Sequence, residues 1–275
     1  MQYLQAASRR SLADARERLD SDLDGLDEAA ATTLAAELFA ASDLLAAEPT
    51  LRKHLGDPAV APEDRAGLLR SLVGSRLGAP TLRVLEAVVG ARWSQPRDLV
   101  DAVETLGQLA ELAVAQQQDA IEEVEDELFR VGRLLDREPR LRALLGDSTV
   151  AAEKRVELLD SVIADKVHPV TGRLLTRAVE APRGLPLDRA AEALAELAAA
   201  RRERSVARVR TPVGLTDEQR DRLEAALARI YGRPISLQVE LDEDLIGGLV
   251  VQVGDEVIDG SIAGRLVAAE QHLPH

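Results

Sequence analysis

Residues 247–266 read Gly-Gly-Leu-Val-Val-Gln-Val-Gly-Asp-Glu-Val-Ile-Asp-Gly-Ser-Ile-Ala-Gly-Arg-Leu, and this stretch decides the fold of the last part of the chain. The alternation of apolar and polar residues over 249–253 predicts a half-buried strand. The pair at 254–255 can reverse the chain, and 257–258 then begin a second strand that the following Asp-Gly ends. Ser261 can cap a helix after that strand. The stretch therefore predicts a strand, a turn, a strand and a helix.

The residues immediately upstream extend this unit. Residues 206–210 alternate as a strand does, and 235–241 alternate in the same way. Between them, Thr216 is followed three residues later by Gln219, which is the pattern of a capping box at the start of a helix. We therefore expect a small α+β domain over residues 205–275, built on a short sheet.

A second strong feature is an internal repeat with an offset of 90 residues. Aligned without gaps, residues 37–92 and 127–182 share 24 identical residues at 56 positions. Pro96 and Pro186 keep the same offset, and each stands where a helix can begin because proline's missing N–H costs little in the first turn. The sequence therefore predicts a duplicated helical unit.

The apolar residues within each copy recur at helical spacing. The resulting fold class is mainly α, with two tandem helical bundles over residues 1–95 and 96–204, followed by the α+β domain. The segment 96–118 matches both the last helix of the first bundle and, at the repeat offset, the first helix of the second. A shared helix would join the bundles rigidly, whereas a broken one would leave a hinge, and the sequence allows both.

The composition excludes several classes of function. The net charge of −14 argues against binding a polyanion such as nucleic acid, since that affinity depends on lysine and arginine. The absence of cysteine excludes disulfides, thiolate metal sites and a cysteine nucleophile. No window approaches the roughly 18 apolar residues that a membrane span needs. Arginine far outnumbers lysine, which suggests a GC-rich bacterium.

No pattern of residues predicts catalysis. The four histidines lack ligand spacing, so no metal site is expected, and no glycine-rich loop with a lysine predicts a nucleotide cofactor. Gly247-Gly248 is better explained as a bend before a strand, where glycine tolerates unusual dihedral angles. Residues 242–244 place three carboxylates in a hairpin loop, and a solvated turn explains them better than a cation site. From the residues alone, we expect interaction surfaces with no catalytic, cofactor-binding or metal-binding residue.

The C-terminal stretch resembles the signature of the delta subunit of F-type ATP synthases, the family that includes the mitochondrial oligomycin-sensitivity-conferring protein. The residues that carry the resemblance are Gly247, Gly248, Gly254, Asp255, Val257, Ile258, Asp259, Gly260, Ser261, Gly264, Arg265 and Leu266. The resemblance covers the chain from about residue 95 to its end, and it reaches the first bundle through the duplication. The Ala-Arg-Pro-Tyr type of opening common in the family is absent, since residues 6–9 read Ala-Ala-Ser-Arg. With its extra bundle, the chain resembles the long form of actinobacteria.

The resemblance implies a structural role in the peripheral stalk, or stator, of a proton-translocating ATP synthase. In the family, the helical bundle receives N-terminal helices of alpha subunits, and the C-terminal domain meets the end of the b subunits. The stalk holds the catalytic head still, so that proton flow is coupled to ATP synthesis. The resemblance further implies one copy per complex, no catalytic residue, no direct membrane insertion and a peripheral location on the cytoplasmic face of the bacterial plasma membrane.

By the same analogy, the alpha helix is expected in the groove between the first and fifth helices of a bundle. The apolar candidates are Leu4, Ala7, Leu82, Leu85 and Val89, and in the second copy Leu174, Leu175 and Val179. We hypothesise that both copies hold helices of the head or stalk, and which copy takes which helix is open. The alternative is a helical scaffold or adaptor protein unrelated to ATP synthase, and an enzyme would need a catalytic cluster that the sequence lacks.

Overall fold

The computed structural model describes residues 5–204, 206–231, 235–242, 245, 247–254 and 256–261. It divides the chain into two compact units, residues 1–198 and 199–275. Within the described residues the elements are α1 (Ala6–Leu23), α2 (Glu28–Ala47), α3 (Pro49–Leu55), α4 (Pro62–Val73), α5 (Ala79–Gly90), α6 (Pro96–Gln117), α7 (Ile121–Arg137), α8 (Pro139–Gly146), α9 (Ala152–Ile163), α10 (Pro169–Glu180), α11 (Leu187–Arg204), β1 (Val206–Thr211), α12 (Asp217–Tyr231), β2 (Ser236–Leu241), β3 (Val250–Val253) and β4 (Glu256–Asp259). The predicted mainly α fold with a small α+β domain is confirmed.

The helices of the first unit repeat in the same order. Helices α2 to α6 are followed, at the offset of 90 residues, by α7 to α11. The short helices α3 and α8 were not predicted from the sequence. Pro49 in fact occupies the first turn of α3, and Pro139 the first turn of α8. Proline is favourable there because the first turn has no intrahelical partner for its N–H.

Helix α6 is continuous and lies at the centre of the first unit. It packs against α1, α2, α3 and α5 of the first copy and against α7 and α10 of the second. Leu99, Leu106 and Leu112 on α6 are fully buried, and one hydrophobic core runs through both copies. Helices of both copies thus pack against α6. The boundary between the two bundles, placed between residues 95 and 96 from the sequence, stays a prediction.

Side-chain hydrogen bonds repeat with the same offset as the sequence. Glu37 accepts hydrogen bonds from the Gly78 N–H and the Thr81 hydroxyl. In the second copy, Glu127 accepts them from the His168 N–H at 2.9 Å and the Thr171 hydroxyl at 2.6 Å. Glu37 thereby joins α2 to the start of α5, and Glu127 joins α7 to the start of α10.

Helix α2 is long and apolar enough to cross a membrane by length and composition alone, with 20 residues and a mean hydropathy of 1.3. No segment apolar enough to span a membrane was expected from the sequence, so α2 differs from that expectation. In the structure, Leu34, Leu38 and Leu45 of α2 are buried in the core, and α6 is the helix that α2 contacts most closely. Many of its remaining residues are alanines, which raise the hydropathy of the helix and also favour its formation.

The second unit is built on a four-stranded sheet with the order β2-β1-β3-β4. Strand β1 pairs parallel with β2 and antiparallel with β3, and β3 pairs antiparallel with β4. The predicted capping box at the start of α12 is confirmed, because the Thr216 N–H donates to Gln219 Oε1 and the Gln219 N–H donates to Thr216 Oγ1. The buried core residues are Ala207, Val209, Leu227, Ile235, Val251 and Val253.

Two of the predicted half-buried strands are more exposed than expected. On β4 the apolar pair Val257 and Ile258 is exposed, and so is Leu241 at the end of β2. Both strands lie at the edges of the sheet, where only one side of the strand has a hydrogen-bonded neighbour. Alternation in the sequence indicates a strand but does not reveal its place in the sheet.

The C-terminal motif forms the predicted strand, turn and strand. Gly248 has φ +83°, and a Cβ there would lie 2.5 Å from the Gly260 carbonyl oxygen, so the bend before β3 requires glycine. After β4, the Ser261 N–H donates to Asp259 Oδ1 at 2.9 Å, and hydrogen bonds from Ser261 lower the pKa of Asp259. The helix expected after Ser261 lies outside the described residues, as do Asp255, Gly264, Arg265 and Leu266.

Candidate partner-binding surfaces

The pair formed by α1 and α5 is fixed by polar contacts at both ends. Near the start of α1, Ser11 donates a hydrogen bond at 2.7 Å to the carbonyl of Arg92, just after the end of α5, and Ser8 donates to Asp98 Oδ2 of α6 at 2.7 Å. Near its end, Arg83 of α5 forms an ion pair with Asp22 at 2.6 Å. The side chain of Asp22 is only 5% exposed, so this pair is better shielded from solvent than a typical surface ion pair. The relative position of the two helices is therefore well defined.

The residues predicted to line the groove between α1 and α5 differ in accessibility. Leu85 and Val89 are buried in the core, Leu82 is half-buried and Ala7 is exposed. Leu4 lies outside the described residues. Within the described part of the chain, Ala7 and Leu82 are therefore the predicted residues that a partner helix could contact directly.

In the second copy the corresponding pair is α6 and α10. The predicted residues Leu174, Leu175 and Val179 are all buried in the core. At the repeat offset, Arg97 stands in the place of Ala7, and Gly172 in the place of Leu82. The apolar edge of the α1–α5 pair is therefore not reproduced on this pair. An ion pair is reproduced, since Arg173 contacts Glu111 of α6 at 2.8 Å as Arg83 contacts Asp22 in the first copy.

A partly buried network of charged residues, which was not predicted from the sequence, joins the two copies. Arg177 of α10 contacts both Glu104 of α6 and Asp43 of α2 at 2.7 Å. Arg183 adds contacts to Glu104 at 3.0 Å and to Ser42 at 2.8 Å. Burial lowers the pKa of Arg177, but its hydrogen bonds to the two carboxylates outweigh burial and raise the pKa above its ordinary value.

One signal in the sequence could have indicated this network. The repeat is broken at its members, because Arg177 corresponds to Ala87 and Asp43 corresponds to Arg133. When a charged residue occurs in one copy and not in the other, it is not needed for the folding of each copy by itself. Its role here is the contact between copies, which also places the Arg177 guanidinium 4.9 Å from the centre of the Phe39 ring.

The other polar positions singled out from the sequence have local structural roles. His168 accepts a hydrogen bond from the Val170 N–H at the start of α10. Asp242 forms an ion pair with Arg210 at 3.1 Å. Among the described residues, no group of three or more histidine, aspartate or glutamate side chains is placed to hold a metal ion. A polar cavity of about 280 Å³ in the second unit is lined by Arg202, Glu203, Val206, Arg208, Gln238, Gln252 and Gly254.

Comparisons with known proteins identify the family. Residues 109–273 match the model of the family described as ATP synthase delta (OSCP) subunit. The ATP synthase subunit delta of Streptomyces avermitilis is 47% identical over 97% of this chain and 97% of its own length. That of Streptomyces coelicolor is 45% identical over 99% of each chain. A chain of the Toxoplasma gondii mitochondrial ATP synthase hexamer covers 61% of this chain and 96% of its own at 20% identity, with a TM-score of 0.32. On the family match and the two full-length relatives, this chain belongs to the ATP synthase delta (OSCP) subunit family.

Proposed function

We propose that this stator subunit of an F-type ATP synthase ties the catalytic head to the peripheral stalk. The head then stays still while proton flow drives ATP synthesis. The observation that carries the proposal is its similarity over nearly the full chain to ATP synthase delta subunits. In this role the chain contributes no catalytic residue of its own. It acts as one copy per complex, peripheral to the cytoplasmic face of the bacterial plasma membrane.

The build of the first unit suits a part that must resist torque. Helix α6 is shared by both copies, and one continuous core surrounds it. The ion pairs of Arg177 with Glu104 on α6 and with Asp43 on α2 add a polar connection between the copies. Closely packed interiors have low compressibility and transmit strain rather than absorb it. A stator built in this way passes force between its partners with little bending.

We assign the head contact to the α1–α5 pair and the stalk contact to the C-terminal unit. The N-terminal helix of an alpha subunit would lie along the α1–α5 pair, with apolar side chains on Ala7 near the start of α1 and on Leu82 near the start of α5, at the other end of the pair. Leu4 would extend this surface at the start of the chain. The C-terminal unit, residues 205–275, would meet the end of the b subunit.

A second alpha or stalk helix is proposed for the α6–α10 pair, as the duplication suggests. Its predicted residues Leu174, Leu175 and Val179 are buried, so they would support such a helix from beneath. Gly172 and Arg97 stand at the accessible edge and make it less apolar than the α1–α5 pair. The α6–α10 site is therefore expected to be the weaker of the two.

Calorimetric titration of the full chain with a synthetic peptide, taken from the N-terminus of the alpha chain of the same organism, tests these assignments. We expect saturable binding, with a stoichiometry of one if the α1–α5 pair acts alone and two if both pairs bind. The Leu82→Glu variant should weaken the first site at least about tenfold, since it places an unpaired charge against an apolar helix face. Leu144→Glu is the matched control, because Leu144 is an exposed leucine of the second copy on α8.

The control variant should bind as the unmodified chain does. If the Leu82→Glu variant and the unmodified chain bind the alpha peptide with equal affinity, the α1–α5 pair is not the binding site. Absence of binding to both the alpha peptide and a peptide from the far end of the b stalk would instead favour an adaptor role outside the synthase.

A further inference from the structure

The two copies differ sharply at one phenylalanine that the repeat conserves. Phe39 on α2 and Phe129 on α7 occupy equivalent positions. Phe39 is half-buried, with its ring against Gly107 of α6 and beneath the Arg177 guanidinium. Phe129 is 55% exposed. The neighbouring leucines do not differ in this way, since Leu44 and its equivalent are both 38% exposed. The difference is therefore specific to the phenylalanine.

The helix beneath each phenylalanine explains the difference. A Cβ on Gly107 would lie 2.6 Å from Phe39 Cε1, so the ring uses space that exists only because residue 107 is glycine. At the repeat offset, the second copy has Leu197 in that place, buried on α11. The two helices still pack closely, because Gly132 of α7 lies against α11, with Glu192 within 3.5 Å of its Cβ position. The leucine fills the space, and Phe129 remains at the surface.

The charge around this phenylalanine is also reversed between the copies. In the first copy, Asp43 lies one helical turn after Phe39 and binds Arg177 of the element that covers the ring. In the second copy the equivalent residue is Arg133. The exposed face of α7 carries Arg130 and Arg137 towards its end and the carboxylates Glu122 and Asp126 towards its start, and Arg130 is paired with Asp126 at 2.8 Å. Among the described residues, Arg133 and Arg137 have no ion-pair partner.

Resting on the stator role proposed above, we propose that this face of α7, formed by Phe129, Arg130, Arg133 and Arg137, binds an acidic amphipathic helix of another subunit of the complex. The occupant places an apolar side chain on Phe129 and a carboxylate on Arg133. This reproduces, with the charges exchanged, the contact by which Arg177 covers Phe39 and binds Asp43 inside the chain. The two arginines without a described ion-pair partner, Arg133 and Arg137, suit an acidic helix because complementary charge aids encounter and fixes register. The surface is separate from the α1–α5 pair.

Site-specific photo-cross-linking in the purified, intact ATP synthase tests this proposal. The full chain would carry p-benzoylphenylalanine in place of Phe129, and the cross-linked residues would be identified by mass spectrometry. We expect a cross-link to a helix of another subunit, with at least two carboxylates within one turn of the attached residue. The same photoreactive residue in place of Leu72, which is 49% exposed on α4, is the matched control.

A charge reversal provides the second measurement. Arg133→Glu should reduce the yield of the cross-link at least about tenfold, whereas Arg76→Glu, at an exposed arginine of the first copy, should leave it unchanged. A yield no higher than that of the Leu72 control would overturn the proposal, as would attachment to a neutral or basic segment or to another part of this chain. Co-purification of the chain with the other subunits is a separate readout, so failure of the stator role would be recognised independently.

Discussion

The first and second helical copies share the contacts that close each copy and differ at the contacts that join them. Glu37 accepts a hydrogen bond from the start of α5, and Glu127 accepts one from the start of α10 in the same way. Arg65 and Arg155 are both buried, and each donates to backbone carbonyls around the end of that helix, with Arg155 reaching the Val179 oxygen at 2.8 Å. These contacts lie inside a copy, so both copies need them.

At the junction the copies have diverged. Gly107, Asp43 and Arg177 of the junction are replaced, at the repeat offset, by Leu197, Arg133 and Ala87. A tandem pair has one inner junction and two outer faces, so residues that suit the junction are of no use at the equivalent outer positions. Divergence within an internal repeat therefore marks the surfaces where a copy meets something other than itself.

The largest expected effect comes from breaking the junction network. Arg177→Met should destabilise the chain by about 3 kcal/mol, because the buried Glu104, which is 6% exposed, loses its closest partner and keeps only the contact with Arg183 among those described. Denaturant unfolding would measure the loss. The control is Arg70→Met, which removes an ion pair whose arginine is 59% and whose glutamate is 25% exposed, and it should cost less because both partners remain in contact with solvent. Adding Glu104→Leu to the Arg177→Met variant should restore most of the stability, and no recovery would argue against the network.

A smaller effect is expected from making the junction resemble the second copy. Gly107→Ala forces a Cβ against Phe39 and should cost about 1–3 kcal/mol by overpacking. Combining it with Phe39→Leu should relieve part of that cost. Gly172→Ala on α10 is the matched control, since no atom lies within 4 Å of its Cβ position, and it should stabilise the chain by up to about 1 kcal/mol. Equal effects of the two alanines would show that Phe39 does not depend on Gly107.

The smallest effect concerns a turn that the copies close differently. Asp147 accepts hydrogen bonds from the hydroxyl and the N–H of Thr149, whereas Asp57 accepts from the N–H of Ala59. The Thr149 hydroxyl lowers the pKa of Asp147. A carboxyl with a lowered pKa stabilises the fold above its unfolded value of about 3.9, and this contribution disappears as the pH falls through the folded pKa.

Thr149→Ala should therefore raise the pKa of Asp147, as measured by NMR titration of its carboxyl carbon. The stability difference between the variant and the unmodified chain should be present at neutral pH and vanish in acid. A pKa that does not move on removing the hydroxyl would assign the shift to the backbone N–H instead.

Much of the fold could be predicted because its signals are local. Pro96 begins α6, the Thr216 capping box begins α12, and alternation reveals β1 and β3. The short helices α3 and α8 were missed because each follows a helix with no loop between them. A proline that ends one helix and begins the next gives the same signal in both roles.

The candidate site was predicted less well than the fold. The leucines and valines chosen for the groove were identified by helical spacing, which selects the most buried residues as readily as those at its edge. Leu85 and Leu175 show this, since both lie in the core. Residues accessible to a partner, such as Ala7 and Leu82, are less apolar or less buried and have no periodic signal of their own.

The sequence alone predicts the duplication, most of the helix starts, the strands and the resemblance of residues 247–266 to the delta family. Each of these depends on residues a few positions apart, or on a repeat that alignment reveals directly. Only the tertiary structure decided that α6 serves both copies and that Arg177 meets Asp43, 134 residues earlier in the chain. That contact depends on how the shared helix aligns the faces on its two sides. Such an alignment is set by the packing of the whole core rather than by any local pattern.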